Sequence, residues 1–527
     1  MTRLHCASCF AVVLLFGAAS ATPVAAQDVD VTSATIEDLN RAFDAGTLTS
    51  EQLVQSYLAR IAAYDDAGPE LNAVIALNPE ALARARALDA VRAAEGARSP
   101  LHGIPVVLKD NLDTADLPTT AGSVLLAGSL PPDDAFLVRK LRDAGAIVLA
   151  KVNMSEFASG GAMSSLGGRT RNPHDLTRTP SGSSGGTGAA IAAAYAQVGL
   201  GTDTGGSVRG PSTANGIAGL KPTYGLLSRD GIVPLALSFD TAGPMARHVY
   251  DVAAALGVMA GVDPADAATA ASEGRFETDY TQYLDPDALR GARIGIARDF
   301  LGQDPDVDWV VEAALDVMRE AGATVVTVRF PEWLLDAPGD FYATVRYREF
   351  RAQIADYLAT LKPGFPASLA ELLERAVRLN ARTDGAGPNP GRWRLMREEE
   401  SSGVLSDPEY RAVREHGLSL VRAMVGGILD AEDLAAIVYP TSPRRPGRID
   451  IAPAPSGGGG RSATRYANLT GFPDLIVPAG FTGEGLPVGL SFLGRAFDEP
   501  RLLALGYAFE QATRARRLPV HTPPLEP

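Results

Sequence analysis

Apolar positions along this chain follow two spacings, and the segments that carry them alternate. Leu53, Tyr57, Leu58 and Ile61 recur at helical spacing behind Thr49-Ser50-Glu51-Gln52, a capping box, which predicts an amphipathic helix. A second is predicted from Asn78-Pro79 to about residue 93. Together they form an N-terminal helical layer. From Gly103 the texture changes to continuous apolar runs: 104–108 and 146–149 read as buried strands, with a helix at 134–144 between them. The unit returns as a strand at 293–297, a helix at about 306–321 and a strand at 324–330. Residues 337–426 are mostly helical in pattern. Strands follow at 435–439, 475–477 and 488–493, before a final helix opened by Asp498-Glu499-Pro500. This alternation predicts an α/β protein, a sheet covered by helices. Residues 453–461, with four consecutive glycines, read as a loop.

One stretch, residues 179–211, breaks both spacings. It reads Thr179-Pro180-Ser181-Gly182-Ser183-Ser184-Gly185-Gly186-Thr187-Gly188, then an Ala-rich helix at 189–196, a short buried strand at 198–202, and Asp203-Thr204-Gly205-Gly206-Ser207-Val208-Arg209. Two glycine-rich turns, each carrying serine, let backbone amides approach a substrate closely. The first ends at a helix N-terminus, where free N–H groups collect. The second leaves a strand directly, so its successive amides can converge and form an oxyanion hole beside a nucleophile. Ser207 is placed to be that nucleophile. Gly182-Ser183-Ser184-Gly185-Gly186 also matches G-x-S-x-G, which would make Ser184 the nucleophile of an α/β-hydrolase. That motif needs a strand immediately before it, whereas 171–180 is polar and holds two prolines. The glycines fit no phosphate-binding loop.

A serine nucleophile needs a base. The six histidines, His5, His102, His174, His248, His416 and His521, show no metal-ligand spacing, so neither a metal site nor a cofactor is expected. Lys109 is the better candidate: it ends the strand 104–108 and is followed by Asp110-Asn111, so its ammonium emerges at a strand end. Lys151, ending the next strand, and Lys221, in Gly219-Leu220-Lys221-Pro222, compete for the role.

Composition narrows the setting. Of 527 residues, 46% are hydrophobic and 21% charged, as in a globular protein with ample core. A formal net charge of -14 without a long basic run argues against nucleic acid as the partner. Arg3, the apolar run 10–19 and the small residues ending in Val24-Ala25-Ala26 form a secretory signal pattern, too short for a membrane span. Cleavage is expected after Ala26, with Ala21 the alternative. Both cysteines, Cys6 and Cys9, would leave with this segment, which excludes disulfides and thiolate chemistry from the mature chain. With no linker or internal repeat, residues 27–527 are expected to form one domain carrying a helical insertion near 337–426. Its location is expected to be periplasmic or extracellular.

At this point the residues closely resemble the amidase signature family. Gly103-Ile104-Pro105-Val106-Val107-Leu108-Lys109-Asp110-Asn111, Lys151-Val152-Asn153-Met154-Ser155-Glu156-Phe157, Gly182-Ser183-Ser184-Gly185-Gly186 and Gly201-Thr202-Asp203-Thr204-Gly205-Gly206-Ser207-Val208-Arg209 occur in the family's order. The likeness continues through Gly219-Leu220-Lys221-Pro222-Thr223, Asp240-Thr241-Ala242-Gly243-Pro244-Met245, Gly471-Phe472-Pro473 and Leu486-Pro487-Val488-Gly489-Leu490. Within the family the chain is most similar to bacterial secreted peptide amidases. Two positions depart: Ser181 stands where the family usually has Gly, and Gly205 where peptide amidases are associated with Asp. The resemblance implies a mixed sheet between helical layers and a Ser-Ser-Lys triad of Lys109, Ser183 and Ser207. Ser207 would attack an amide carbonyl while Ser183 relays its proton to neutral Lys109. Amides of Thr204, Gly205, Gly206 and Ser207 would hold the oxyanion, and Ser184, Asp203 and Arg209 would support the site. The peptide matching Gly182-Ser183 is cis in the family. The expected partner is a peptide or small-molecule amide, with aryl acylamides, esters and carbamates as alternatives; no oligomeric state follows. A non-catalytic binding protein or an amidotransferase subunit is the reading of another class, against which the complete Lys-Ser-Ser set and the export signal argue.

Overall fold

The computed structural model describes residues 29–159, 162–382, 387–450 and 461–525, so the signal segment and nearly all of the loop 453–461 lie outside the described residues. The strands are β1 (Val74–Leu77), β2 (Pro105–Lys109), β3 (Ile147–Val152), β4 (Met163–Ser164), β5 (Gly168–Arg169), β6 (Val198–Asp203), β7 (Ala218–Lys221), β8 (Thr241–Ala246), β9 (Arg293–Ala297), β10 (Thr324–Val328), β11 (Ala436–Pro440), β12 (Asp474–Phe481) and β13 (Pro487–Leu493). β4 and β5 pair with each other; the other eleven form one sheet in the order β1-β3-β2-β6-β8-β7-β12-β13-β11-β9-β10. The β3-β2-β6 and β11-β9-β10 neighbours are parallel and the rest antiparallel, so the sheet is mixed.

Helices cover both faces, and β11 shows why its residues are apolar without a break. Successive side chains of a strand point to opposite faces. Ala436 and Val438 enter one buried cluster, with Val310, Val311 and Leu315 of the helix Pro305–Glu320. Ile437 and Tyr439 enter another, with Val421 and Val425 of Leu418–Ala431. The capping box at Thr49 is formed, and its helix runs Ser50–Tyr64. Residues 337–426 are mostly helical, at Pro338–Leu358, Leu369–Arg382, Pro390–Glu400 and Leu418–Ala431. The first of these helices packs through Phe350 and Ile354 onto Met154, Phe157 and Val233. Among the described residues no helix is long and apolar enough to cross a membrane.

Two central strands, β7 and β8, went unread in the sequence because Gly219, Gly243 and Pro244 carry turn chemistry. The β7 ladder on β8 reaches only Met245, so Pro244 lies just beyond the paired residues on that side. The helix predicted at 189–196 runs instead Gly185–Ala192, a correction with a packing cause. A Cβ at Gly186 would lie 2.3 Å from the Asn153 carbonyl oxygen, so the glycine turn is itself the helix start, pressed against the Asn153 backbone.

Candidate active site

The site forms where β2 and β6 end. They are parallel neighbours in the register Leu108–Leu200, so Lys109, the last residue of β2, emerges beside Thr202 near the end of β6. The ends of such strands are where open α/β sheets place their clefts. Lys109 is fully buried; its Nζ lies 2.7 Å from Ser183 Oγ, 2.7 Å from Thr202 Oγ1 and 3.2 Å from the Thr202 carbonyl oxygen. Burial pushes its ammonium down to about 7, against the opposing pull of Asp203 and Asp240.

The two other candidate lysines are brought to no serine. Lys151 Nζ donates to the carbonyls of Leu112 and Pro118 and to Thr119 Oγ1, 3.5 Å from the Asp110 carboxylate. Lys221 Nζ donates to the carbonyls of Pro222 and Phe472.

The two glycine-rich turns touch through the Ser184 N–H, which donates to the Ser207 carbonyl at 3.2 Å. The Gly182–Ser183 peptide is cis. Ser183 is buried against Lys109, whereas Ser207 is half-buried and its Oγ has no hydrogen bond to any described residue. Ser184 is enclosed: its Oγ donates to the Thr202 carbonyl and accepts from the Thr202 N–H, and no strand immediately precedes it. That placement gives Ser184 a structural bond and no opening to a substrate.

Asp203 organises the second turn. Its Oδ1 accepts from the Gly206 N–H at 2.8 Å and its Oδ2 from the Val208 N–H at 3.0 Å. Of the four amides expected to face an oxyanion, Gly206 is therefore already engaged, a correction that leaves Thr204, Gly205 and Ser207 without an internal acceptor among the described residues. Arg209 grips the same carboxylate through Nε at 3.1 Å and Nη2 at 3.0 Å, and reaches Asp474 through Nη1 at 2.8 Å. Burial would raise the Asp203 carboxyl, but the Arg209 guanidinium and the Asn468 amide hold it far below the usual range. Asp474, Asn468 and Tyr439, whose hydroxyl donates to Asp474, were missed in the sequence. Asp474 and Asn468 lie 265 and 259 positions from Arg209, on other elements, and the neighbouring Gly471-Phe472-Pro473 motif is the one signal that could have pointed to them.

Both departures from the family pattern have a local setting. Ser181 sits at φ 63°, the left-handed region that favours glycine. At Gly205 a Cβ would lie 2.9 Å from Tyr342 Oη and 3.0 Å from its Cζ. That ring is held by stacking on Phe239, with centroids 5.5 Å apart, and by the Arg465 guanidinium 5.3 Å above it. Tyr342, from the helix Pro338–Leu358, thus takes the space a side chain at 205 would need. Among the described residues no group of three or more His, Cys, Asp or Glu could hold a metal.

The family model described as Amidase matches residues 52–503. The chain is 39% identical over 496 residues to a glutamyl-tRNA(Gln) amidotransferase subunit from Chloroflexus aggregans, covering 91% of this chain and 96% of the relative. The corresponding subunit of Halorhodospira halophila is also 39% identical, over 502 residues, with 91% and 97% covered. Among solved structures, the peptide amidase of Stenotrophomonas maltophilia superposes with a TM-score of 0.84 at 42% identity, covering 92% of this chain and 98% of that one. An amidase family protein from Bacillus anthracis gives 0.83 at 32% identity, with 93% and 92% covered.

Proposed function

Since the chain belongs to the amidase family, enzymes that cleave amide C–N bonds, we propose that it does so through an acyl-enzyme on Ser207. The observation that carries this reading is Lys109 Nζ at 2.7 Å from Ser183 Oγ, buried among neutral partners. Neutral Lys109 accepts the Ser183 proton as Ser183 accepts that of Ser207, whose Oγ attacks the carbonyl. The free amides of the turn 204–207 face the negative oxygen that develops. When the intermediate collapses, the C–N bond breaks and the leaving amine takes the proton back from Lys109 through Ser183. Water then repeats the relay to release the acid and free Ser207.

For substrate we propose C-terminal peptide amides, supported by the 42% identity to a peptide amidase across 92% of this chain. A second reading, an amidotransferase subunit working with partner chains, is favoured by the names of the 39% identical relatives and by Gly205. Assay of the isolated chain against peptide amides, aryl acylamides, esters and carbamates separates them: turnover of a peptide amide supports the first, and no turnover in any class favours the second. The nucleophile is tested with a fluorophosphonate probe. Ser207→Ala should lose labelling with an unchanged melting temperature and Ser184→Ala should retain it; the opposite pattern overturns the assignment. Export is proposed from the N-terminal pattern alone. Intact mass of protein from the periplasm or medium should show a start at Gln27 or Thr22, and full-length cytoplasmic protein would overturn it.

A further inference from the structure

As a neutral amine Lys109 has two hydrogens and one lone pair for three neighbours, Ser183 Oγ, the Thr202 carbonyl and Thr202 Oγ1. The carbonyl can only accept, so it takes one hydrogen. The other hydrogen and the lone pair are divided between Ser183 Oγ and Thr202 Oγ1, and only one division is productive. If Thr202 donates its hydroxyl proton to Lys109, the lone pair is occupied and cannot receive the proton of Ser183. If Thr202 accepts, the lone pair faces Ser183.

What decides is where the Thr202 hydroxyl proton goes. Asn111 Nδ2 donates to Thr202 Oγ1 at 3.0 Å, occupying one of its lone pairs. Asn111 is buried, and its Oδ1 has no partner among the described residues. Both residues line a small cavity, bounded by Thr204 and Asp240 and by apolar side chains that include Ile232 and Val233, with about 10 Å³ open to the centre of a water-sized sphere. A cavity of about this size holds one water when two or more polar groups can bind it. One water satisfies both orphan valences at once: it accepts from the Thr202 hydroxyl and donates to Asn111 Oδ1. Asn111 and Thr202 then close a ring through it.

We propose that this cavity is a structural water site, and that Thr202 and Asn111 act through it as positioning residues that turn the Lys109 lone pair toward Ser183. The proposal rests on the Ser207 acyl-enzyme reading for its kinetic arm only. The charged groups around the ring, Asp203 and Asp240 near Lys109 and Arg229 paired to Asp266, are untouched by the variants below.

The test has two arms. A crystal structure of the wild-type protein at high resolution should show one ordered water within hydrogen-bond distance of Thr202 Oγ1 and Asn111 Oδ1; an empty cavity overturns the proposal. In the second arm, Ser207 labelling by a fluorophosphonate is followed against pH for wild type, Thr202→Val, Thr202→Ser and Asn111→Leu. Thr202→Val and Asn111→Leu should slow labelling by about 10–100-fold at the plateau, as expected for a misaligned proton acceptor. In Thr202→Val the alkaline limb should also move to lower pH, because an acceptor lost to the ammonium costs the charged form more than the neutral one. Thr202→Ser should restore both rate and limb. Wild-type rate and limb in Thr202→Val overturn the proposal, as does failure of Thr202→Ser to rescue; if Thr202→Val does not fold, Asn111→Leu labelled at the wild-type rate does the same. Wild type unlabelled at Ser207 would instead sink the acyl-enzyme reading, and the water arm would still decide the site.

Discussion

Lys109→Met offers a test in which activity and stability move apart. Burial lowers the lysine from its ordinary value of 10.5 to about 7, so folding near neutral pH must strip a proton that the unfolded chain keeps. With about 1.36 kcal/mol per pH unit between those values, the native state gives up about 4.4 kcal/mol at about pH 7 and about 2 kcal/mol at about pH 9. Methionine removes that cost. It also removes three hydrogen bonds, at about 1 kcal/mol each or about 3 kcal/mol together. The variant should therefore be about 1 kcal/mol more stable than wild type at about pH 7 and about 1 kcal/mol less stable at about pH 9. The sign follows from proton binding: the unfolded state holds the extra proton, so wild-type stability rises with pH through this window and the advantage of methionine shrinks. The hydrogen-bond figure cancels when the two pH values are compared, leaving about 2 kcal/mol to be read from urea unfolding of both proteins. A difference between variant and wild type that is the same at both pH values would refute the depressed lysine, and with it the neutral base. Turnover should be lost in the variant at either pH, while the wild-type rate rises along a limb with a midpoint near 7.

Lys151→Met should fail through the fold: it leaves the buried Asp110 carboxylate without its cation, which costs about 3–5 kcal/mol, while any folded fraction keeps the wild-type rate–pH limb. Thermal melts and rate profiles of the same preparation check both halves. Ser181→Gly should raise the melting temperature, since a left-handed non-glycine residue costs roughly 1 kcal/mol and the backbone bond from its N–H to Thr179 Oγ1 is kept. Unchanged or lowered melting would show that the Ser181 side chain has its own stabilising contacts.

Much of this protein could be read in one dimension because the interactions concerned are local or periodic. The capping box at Thr49, the apolar runs of β2, β3, β9 and β11, and the helical character of residues 337–426 follow from side-chain spacing alone. The two serine-bearing turns were legible for the same reason, since glycine clusters mark backbone that must approach something closely. β7 and β8 were not, because their Gly and Pro residues suit turns unless neighbouring strands impose extended pairing. Spacing favoured Lys109 but could not exclude Lys151 and Lys221, since all three are buried at strand ends. The parallel register of β2 on β6 made that choice by delivering Lys109 to Ser183, while β3 and β7 carried the other two to backbone carbonyls. The engagement of the Gly206 amide by Asp203, and the union of Arg209 with Asp474 and Asn468, likewise needed the folded chain. Charge and hydrogen-bond partners 259 and 265 residues apart in sequence leave no periodic trace, and only packing brings them within hydrogen-bond distance.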